Sequence, residues 1–165
     1  MPKWAEYSED ELVRIGREAI RAVRYERARD AFAEYVERLQ NEDRPVPAGA
    51  LANYALALGH TSGTKEGLAV CKAALKSNRR LPEVYYCLAQ LYLLTRSRKQ
   101  AFEALREGLA RGPEHPGLLA LQAQMGVRRK GPLPFLHRDN ALNVRLGKAL
   151  RRGKGGPRGP SGAAV

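Results

Sequence analysis

The chain is poor in the residues that most often carry covalent or metal chemistry. Its 165 residues include two cysteines, three histidines and one tryptophan, and aromatic residues make up 7%. Cys71 and Cys87 form no C-x-x-C pair and cannot build a thiolate quartet, which removes disulfide frameworks and zinc ribbons. Both fall in or beside helical apolar stripes and read as reduced core thiols. His60, His115 and His137 stand in a loop, at a repeat junction and near the C-terminus, without ligand spacing. No Ser/His/Asp order, Gly-rich phosphate loop or paired acidic motif occurs. No catalytic residue, metal or cofactor is therefore expected, and the chain is read as non-enzymatic. No apolar run approaches the roughly 18 residues of a membrane span. Met1 to Leu12 is polar and acidic, without the apolar core of a signal peptide. A cytoplasmic protein is the resulting expectation. β-branched residues are few and strand-like alternation is missing, which disfavours sheet.

What remains is a helix-forming composition, 44% hydrophobic, enough for one cored domain with or without a tail. Its pattern is clearest from Pro82 to His115. Tyr85, Leu88, Ala89 and Tyr92 form one helical stripe at i, i+3, i+4 and i+7. Thr95–Arg98 is a polar break. Ala101, Leu105 and Gly108 form a second stripe, and Pro113, lacking an N–H, closes the unit. The same order of small and large residues occurs 34 residues upstream, in Leu51, Tyr54, Ala55 and Leu58, then Gly67, Cys71 and Ala74. Gly59–Thr64 is the break there, and Arg79 replaces the closing proline.

Two adjacent units in phase, with this period and size pattern, resemble the tetratricopeptide repeat family. The expected fold is all-α: an α-solenoid of helix-turn-helix repeats over residues 9–47, 48–81 and 82–115, a C-terminal capping helix at 116–126, and a basic tail. In the opening repeat, Ser8 and Glu11 predict a capping box. Leu12, Ile15, Gly16 and Ala19 supply the first stripe, and Ala28, Phe32 and Tyr35 the second. No glycine or proline marks a turn near Arg24-Tyr25, so a single helix from Glu9 to Gln40 competes with a turn. The break in stripe phase favours the turn. Trp4 and Tyr7 read as a lid over the open end of the solenoid, with a partner contact as the other reading. In the cap, Leu119, Gln122, Ala123 and Gly126 occupy the stripe positions.

The resemblance implies a concave groove lined by the first helices, taking a peptide or helix from a protein partner. Transferred to this chain, the lining is Val13, Arg17 and Ile20, then Ala52, Asn53 and Leu56, then Tyr86, Gln90 and Leu93, with Ala120 and Gln124 from the cap. Arg17, Asn53, Leu56, Tyr86, Gln90 and Leu93 are the expected contact residues. One subtype of the family clamps a partner's C-terminal carboxylate with Lys, Arg and Asn. Here Val13, Arg17, Asn53, Glu83 and Cys87 stand at those positions. Only Asn53 matches, and Glu83 would repel a carboxylate, which disfavours that ligand.

Charge is unevenly spread. Residues 116–165 hold 10 basic and 1 acidic group, +9 of the net +12. Within 127–165, Asp139 can cap an amphipathic helix over about 139–152. It would carry Leu142, Leu146, Ala149 and Leu150 on one face and Arg145, Lys148 and Arg152 on another, while Gly- and Pro-rich 153–165 reads as disordered. Three readings stay open: docking of this segment on its own solenoid, contact with RNA or DNA, and contact with an anionic membrane surface. Arg145, Lys148, Arg151 and Arg152 would carry an anion contact. A non-catalytic scaffold or adaptor is the leading function. A nucleic-acid or ribosome-associated accessory protein acting through the tail is the alternative, and a secretion-type chaperone a third reading.

Overall fold

Ser8 begins the first helix. Its hydroxyl accepts from the Glu11 backbone N–H at 3.3 Å, and its own N–H donates to Glu11 Oε2 at 2.8 Å, which completes the expected capping box. The computed structural model describes residues 4–126. The expected tail at 127–165, its helix at about 139–152 and Arg145, Lys148, Arg151 and Arg152 lie outside the described residues. Among these residues there are seven α-helices and no strand: α1 Glu9–Arg21, α2 Tyr25–Asn41, α3 Ala48–Thr61, α4 Thr64–Ser77, α5 Pro82–Leu94, α6 Arg98–Arg111 and α7 Pro116–Met125. The helices pair in order, α1 with α2, α3 with α4 and α5 with α6, and each pair packs on the next. None of them is long and apolar enough to cross a membrane.

The α1–α2 turn forms without glycine. Val23 takes a left-handed φ of 59°, and the Arg24 N–H donates to the Ala19 carbonyl at 2.8 Å, closing the end of α1. A β-branched residue is strained there, and Val23 is also 68% exposed. The break between α3 and α4 is shorter than the expected Gly59–Thr64. α3 runs to Thr61 and α4 starts at Thr64, so His60 is a helix residue and not a loop residue.

All the stripe residues of the opening repeat are buried: Leu12, Ile15, Gly16 and Ala19 on α1, Ala28, Phe32 and Tyr35 on α2. So are Gly67, Cys71 and Ala74 on α4 and Ala101, Leu105 and Gly108 on α6. Burial of Cys71 pushes its thiol up to about 12, and burial also raises Cys87, so neither ionises near neutral pH. α3 is apolar on nearly every side and is buried on nearly every side, as a helix at the centre of the stack must be. Trp4 and Tyr7 pack against the Leu12–Phe32–Leu39 cluster, and Arg38 holds them there by donating to both their carbonyls at 2.7 Å. They act as a lid on that end of the core.

The cap differs from expectation in register. α7 buries Leu118 and Leu121, whereas Leu119 is 43% exposed and Ala123 is exposed. In the third repeat the Tyr85–Leu88–Ala89 face packs on that repeat's own second helix. No described helix follows α7, so its buried face is the one turned to α5 and α6. Gly108 leaves the space that Leu118 fills: a Cβ on Gly108 would lie 2.9 Å from Leu118.

Candidate peptide-binding groove

Residues of α1, α3 and α5, the first helices of the three repeats, share one face, where they line a common cleft. The middle of that face is closed. Leu56 and Ala52 have no exposed surface and Asn53 is 5% exposed. Ile20, expected to line the groove, instead bridges all three apolar clusters of the core, including the one that holds Ala52 and Leu56. Leu56 is therefore a core residue and not a contact surface. Asn53 is likewise internal, and its amide is already engaged. Nδ2 donates to the Gly49 carbonyl at 3.0 Å and to Glu83 Oε1 at 2.8 Å, and Oδ1 lies 3.8 Å from the Cys87 thiol that donates to it.

The accessible walls come from α1 and α5. Arg17 is exposed, and Val13 beside it is half-buried. Both line a cleft of about 640 Å³ that reaches the first turns of α3 and α5 at Gly49 and Glu83. On α5, Tyr86, Gln90 and Leu93 are half-buried, in line along the helix at i, i+4 and i+7. Tyr86 is fixed by its neighbours. Its ring lies 5.8 Å from that of His115, centroid to centroid, and a Cβ on Gly117 would meet it at 2.9 Å. Burial raises the Tyr86 phenol pKa, with Cys87 adding to the rise, Gln90 opposing it, and Tyr25 and Glu83 adding further. Of the two expected lining residues on α7, Ala120 and Gln124, both are exposed.

Two contacts between repeats are not visible in the sequence. Glu83, by its position only a residue hostile to a carboxylate, is the partner of the buried Asn53. Tyr25 and His60 stack with ring centroids 3.6 Å apart and planes parallel to 1°. They are 35 positions apart, at a helix start and a helix end, so no local spacing announces the pair. The stack partly shields His60, and that desolvation holds its imidazole below the ordinary 6.5. The folded state then binds fewer protons here than the unfolded chain. The stability this contributes is present above pH 6.5 and is lost as pH falls through the lowered folded value. The thermal midpoint of His60→Gln should accordingly fall less than that of the parent between pH 7 and 5, in matched melts. Equal falls would place His60 outside the linkage.

Among the described residues no group of three His, Cys, Asp or Glu side chains is placed to hold a metal ion.

No family model matches the chain, and no curated protein matches it. Solved structures do. The OM64 TPR domain of Arabidopsis superposes with a TM-score of 0.55 at 14% identity, over 71% of this chain and 93% of that one. The Sgt2 TPR domain from Aspergillus fumigatus gives 0.56 at 15% identity, over 95% and 90%. A chain in the structure of Naa15/Naa10 bound to HypK-THB gives 0.59 at 22% identity, over 87% of this chain and 21% of that one. Helix pairing, stripe burial and these superpositions agree that the chain has the fold of a tetratricopeptide-repeat domain, an all-α helical-repeat solenoid.

Proposed function

We propose that the chain is a non-catalytic protein–protein interaction scaffold that holds a peptide or helix of a partner protein against its concave side. The observation that carries this reading is the unequal closure of that side. α3 is sealed into the core, while α1 and α5 leave a cleft and a line of half-buried Tyr86, Gln90 and Leu93. Aromatic and aliphatic anchors beside a polar rim suit an amphipathic segment. The contact set in this proposal is Arg17, Tyr86, Gln90 and Leu93, with Asn53 and Leu56 supporting from beneath. One structural neighbour is itself described in complex with partner chains, Naa15/Naa10 with HypK-THB.

The test is affinity capture from native lysate at moderate salt with the full chain, repeated with Tyr86→Ala plus Leu93→Ala. Truncating two anchors at the centre of an interface costs about 2 kcal/mol or more, a loss of about 30-fold in affinity. A partner retained by the double variant at undiminished affinity removes the groove from the account.

The charge of residues 116–165 supports a second reading, an anionic partner such as RNA, DNA or a membrane surface reached through Arg145, Lys148, Arg151 and Arg152. Capture through these residues should be lost on replacing all four by alanine and should weaken steeply as salt rises. Capture through the groove should survive both.

A further inference from the structure

Asn53 is the one buried polar side chain among the described residues, and it sits in a helix otherwise built of Ala, Leu and Gly along its buried faces. Left without partners there, a carboxamide costs about 1–3 kcal/mol. One of its N–H groups turns back to its own helix, to the Gly49 carbonyl at 3.0 Å. The other crosses to the next repeat and donates to Glu83 Oε1 at 2.8 Å. Glu83 stands in the first turn of α5, where the helix dipole also favours an anion. Its second oxygen lies over the Gly49 backbone, 3.7 Å from where a Cβ would stand. The carboxylate is thus held through one oxygen, at the lip of the cleft.

It is held but not neutralised. Among the described residues Glu83 has no basic group within 4 Å, as Glu26, Glu37, Glu66, Glu103 and Glu114 also have none, but unlike them it accepts from a buried side chain. On α1, Arg17 and Arg21 line the same cleft and have no carboxylate at that distance among the described residues. Asp10, Arg14 and Glu18 line it too; Arg14 and Glu18 pair at 3.2 Å, which leaves two carboxylates, Asp10 and Glu83, and two arginines, and of the two carboxylates Glu83 is the one oriented by a buried side chain. The complement of the cleft is a segment carrying both signs. With Oε1 already accepting from Asn53, the other oxygen suits the point charge of a lysine or a single arginine N–H.

We propose that Glu83 is the cation anchor of this cleft, positioned by Asn53, and that the partner is a peptide segment in which a lysine or arginine meets Glu83 while a nearby acidic residue meets Arg17 or Arg21. The proposal rests on the groove reading above and adds the chemistry of its ligand. The probe is a displayed library of random peptides, about a dozen residues long, selected on the full chain and on its Glu83→Gln and Glu83→Lys variants. The carboxamide introduced by E83Q keeps an oxygen for Asn53 to donate to, so this variant should melt with the parent.

Peptides selected on the parent should share one basic position with an acidic residue nearby, and on E83K that position should turn acidic while apolar positions stay. The best parental peptide should lose about tenfold in affinity on E83Q, and its Lys→Glu form should regain it on E83K. Asn53→Ala should weaken that peptide and leave its Lys→Ala form unaffected. A role in the fold alone would weaken both alike and overturn the positioning assignment. Selected peptides without a common basic position, or with one that persists on E83K, overturn the anchor but leave the groove standing. Peptides that bind equally well to the Tyr86→Ala plus Leu93→Ala variant, or no enriched peptide at all, overturn the groove reading and this one with it.

Discussion

Phe32→Ala should lower the stability of the chain by about 4 kcal/mol, read as a shift of the urea midpoint. Phe32 is the largest side chain with no exposed surface. Its ring lies directly against α1, so close that a Cβ on Gly16 would stand 2.5 Å from Cε2. The hole left by alanine faces Gly16, which has no side chain to fill it from the α1 side. The loss should also be local at first. Phe32 belongs to the cluster formed by α1, α2 and the start of α3, while α4, α5 and α6 contribute to a second cluster. In a repeat stack each unit is stabilised by its neighbours only. Amide exchange in α1 and α2 should therefore accelerate in the variant before that in α5 and α6. A uniform acceleration would show the two clusters to be one cooperative unit. The same contact predicts a coupling. Gly16→Ala drives a methyl group into the ring, and shrinking the ring with Phe32→Leu makes room for it. The double variant should then be more stable than the sum of the singles by about 1 kcal/mol or more.

Gly67→Ala is the second large effect, and it has the opposite cause. A Cβ at position 67 would stand 2.5 Å from the Ala55 carbonyl oxygen and 2.9 Å from the Gly59 backbone. These are main-chain atoms of α3, which cannot rotate away as the end of a side chain can. α3 and α4 would have to separate, at a strain cost of about 3 kcal/mol. The intrinsic gain from replacing a helical glycine by alanine is only about 1 kcal/mol. A net loss of about 2 kcal/mol is expected in denaturant melts. A variant as stable as the parent would mean that the two helices do not meet backbone to backbone.

These two positions show how much of the fold is legible without coordinates. Phe32 and Gly67 both lie on stripes that helical spacing marks out. Most stripe residues of a helix pair are buried, because the pair has only one inner face to bury, although Leu51, Tyr54 and Tyr92 are only half-buried. The turn near Arg24-Tyr25 is legible for the same reason: the phase of the stripe changes there, even though Val23 must take a left-handed conformation to make it. The lid of Trp4 and Tyr7 is legible as large apolar side chains ahead of an otherwise open end.

The concave side is less legible. Asn53 and Leu56 stand at positions that resemblance assigns to a ligand, yet they are internal, and the outward-facing part of the surface is on α1 and α5. Sequence spacing says which helix face a residue occupies. It does not say how far neighbouring helices lean over that face, and here Ile20 of α1 packs across it. The cap departs from its expected register by one position for a related reason. Its sequence repeats the register of a first helix, but no described second helix stands beside it, so Leu118 and Leu121 are buried in place of Leu119 and Gln122.

By itself the sequence determined the helix pairs, their order, the small residues at which their axes meet and the core thiols, because all of these follow from periodicities of a few residues within one chain segment. Only the tertiary structure decided which of the expected lining residues keep any surface, that the buried amide of Asn53 donates to the carboxylate of Glu83, and that Tyr25 stacks on His60. Those contacts join residues 30 and 35 positions apart. Their geometry depends on how one repeat is rotated against the next, a quantity set by the sum of many packing contacts and written in no local pattern.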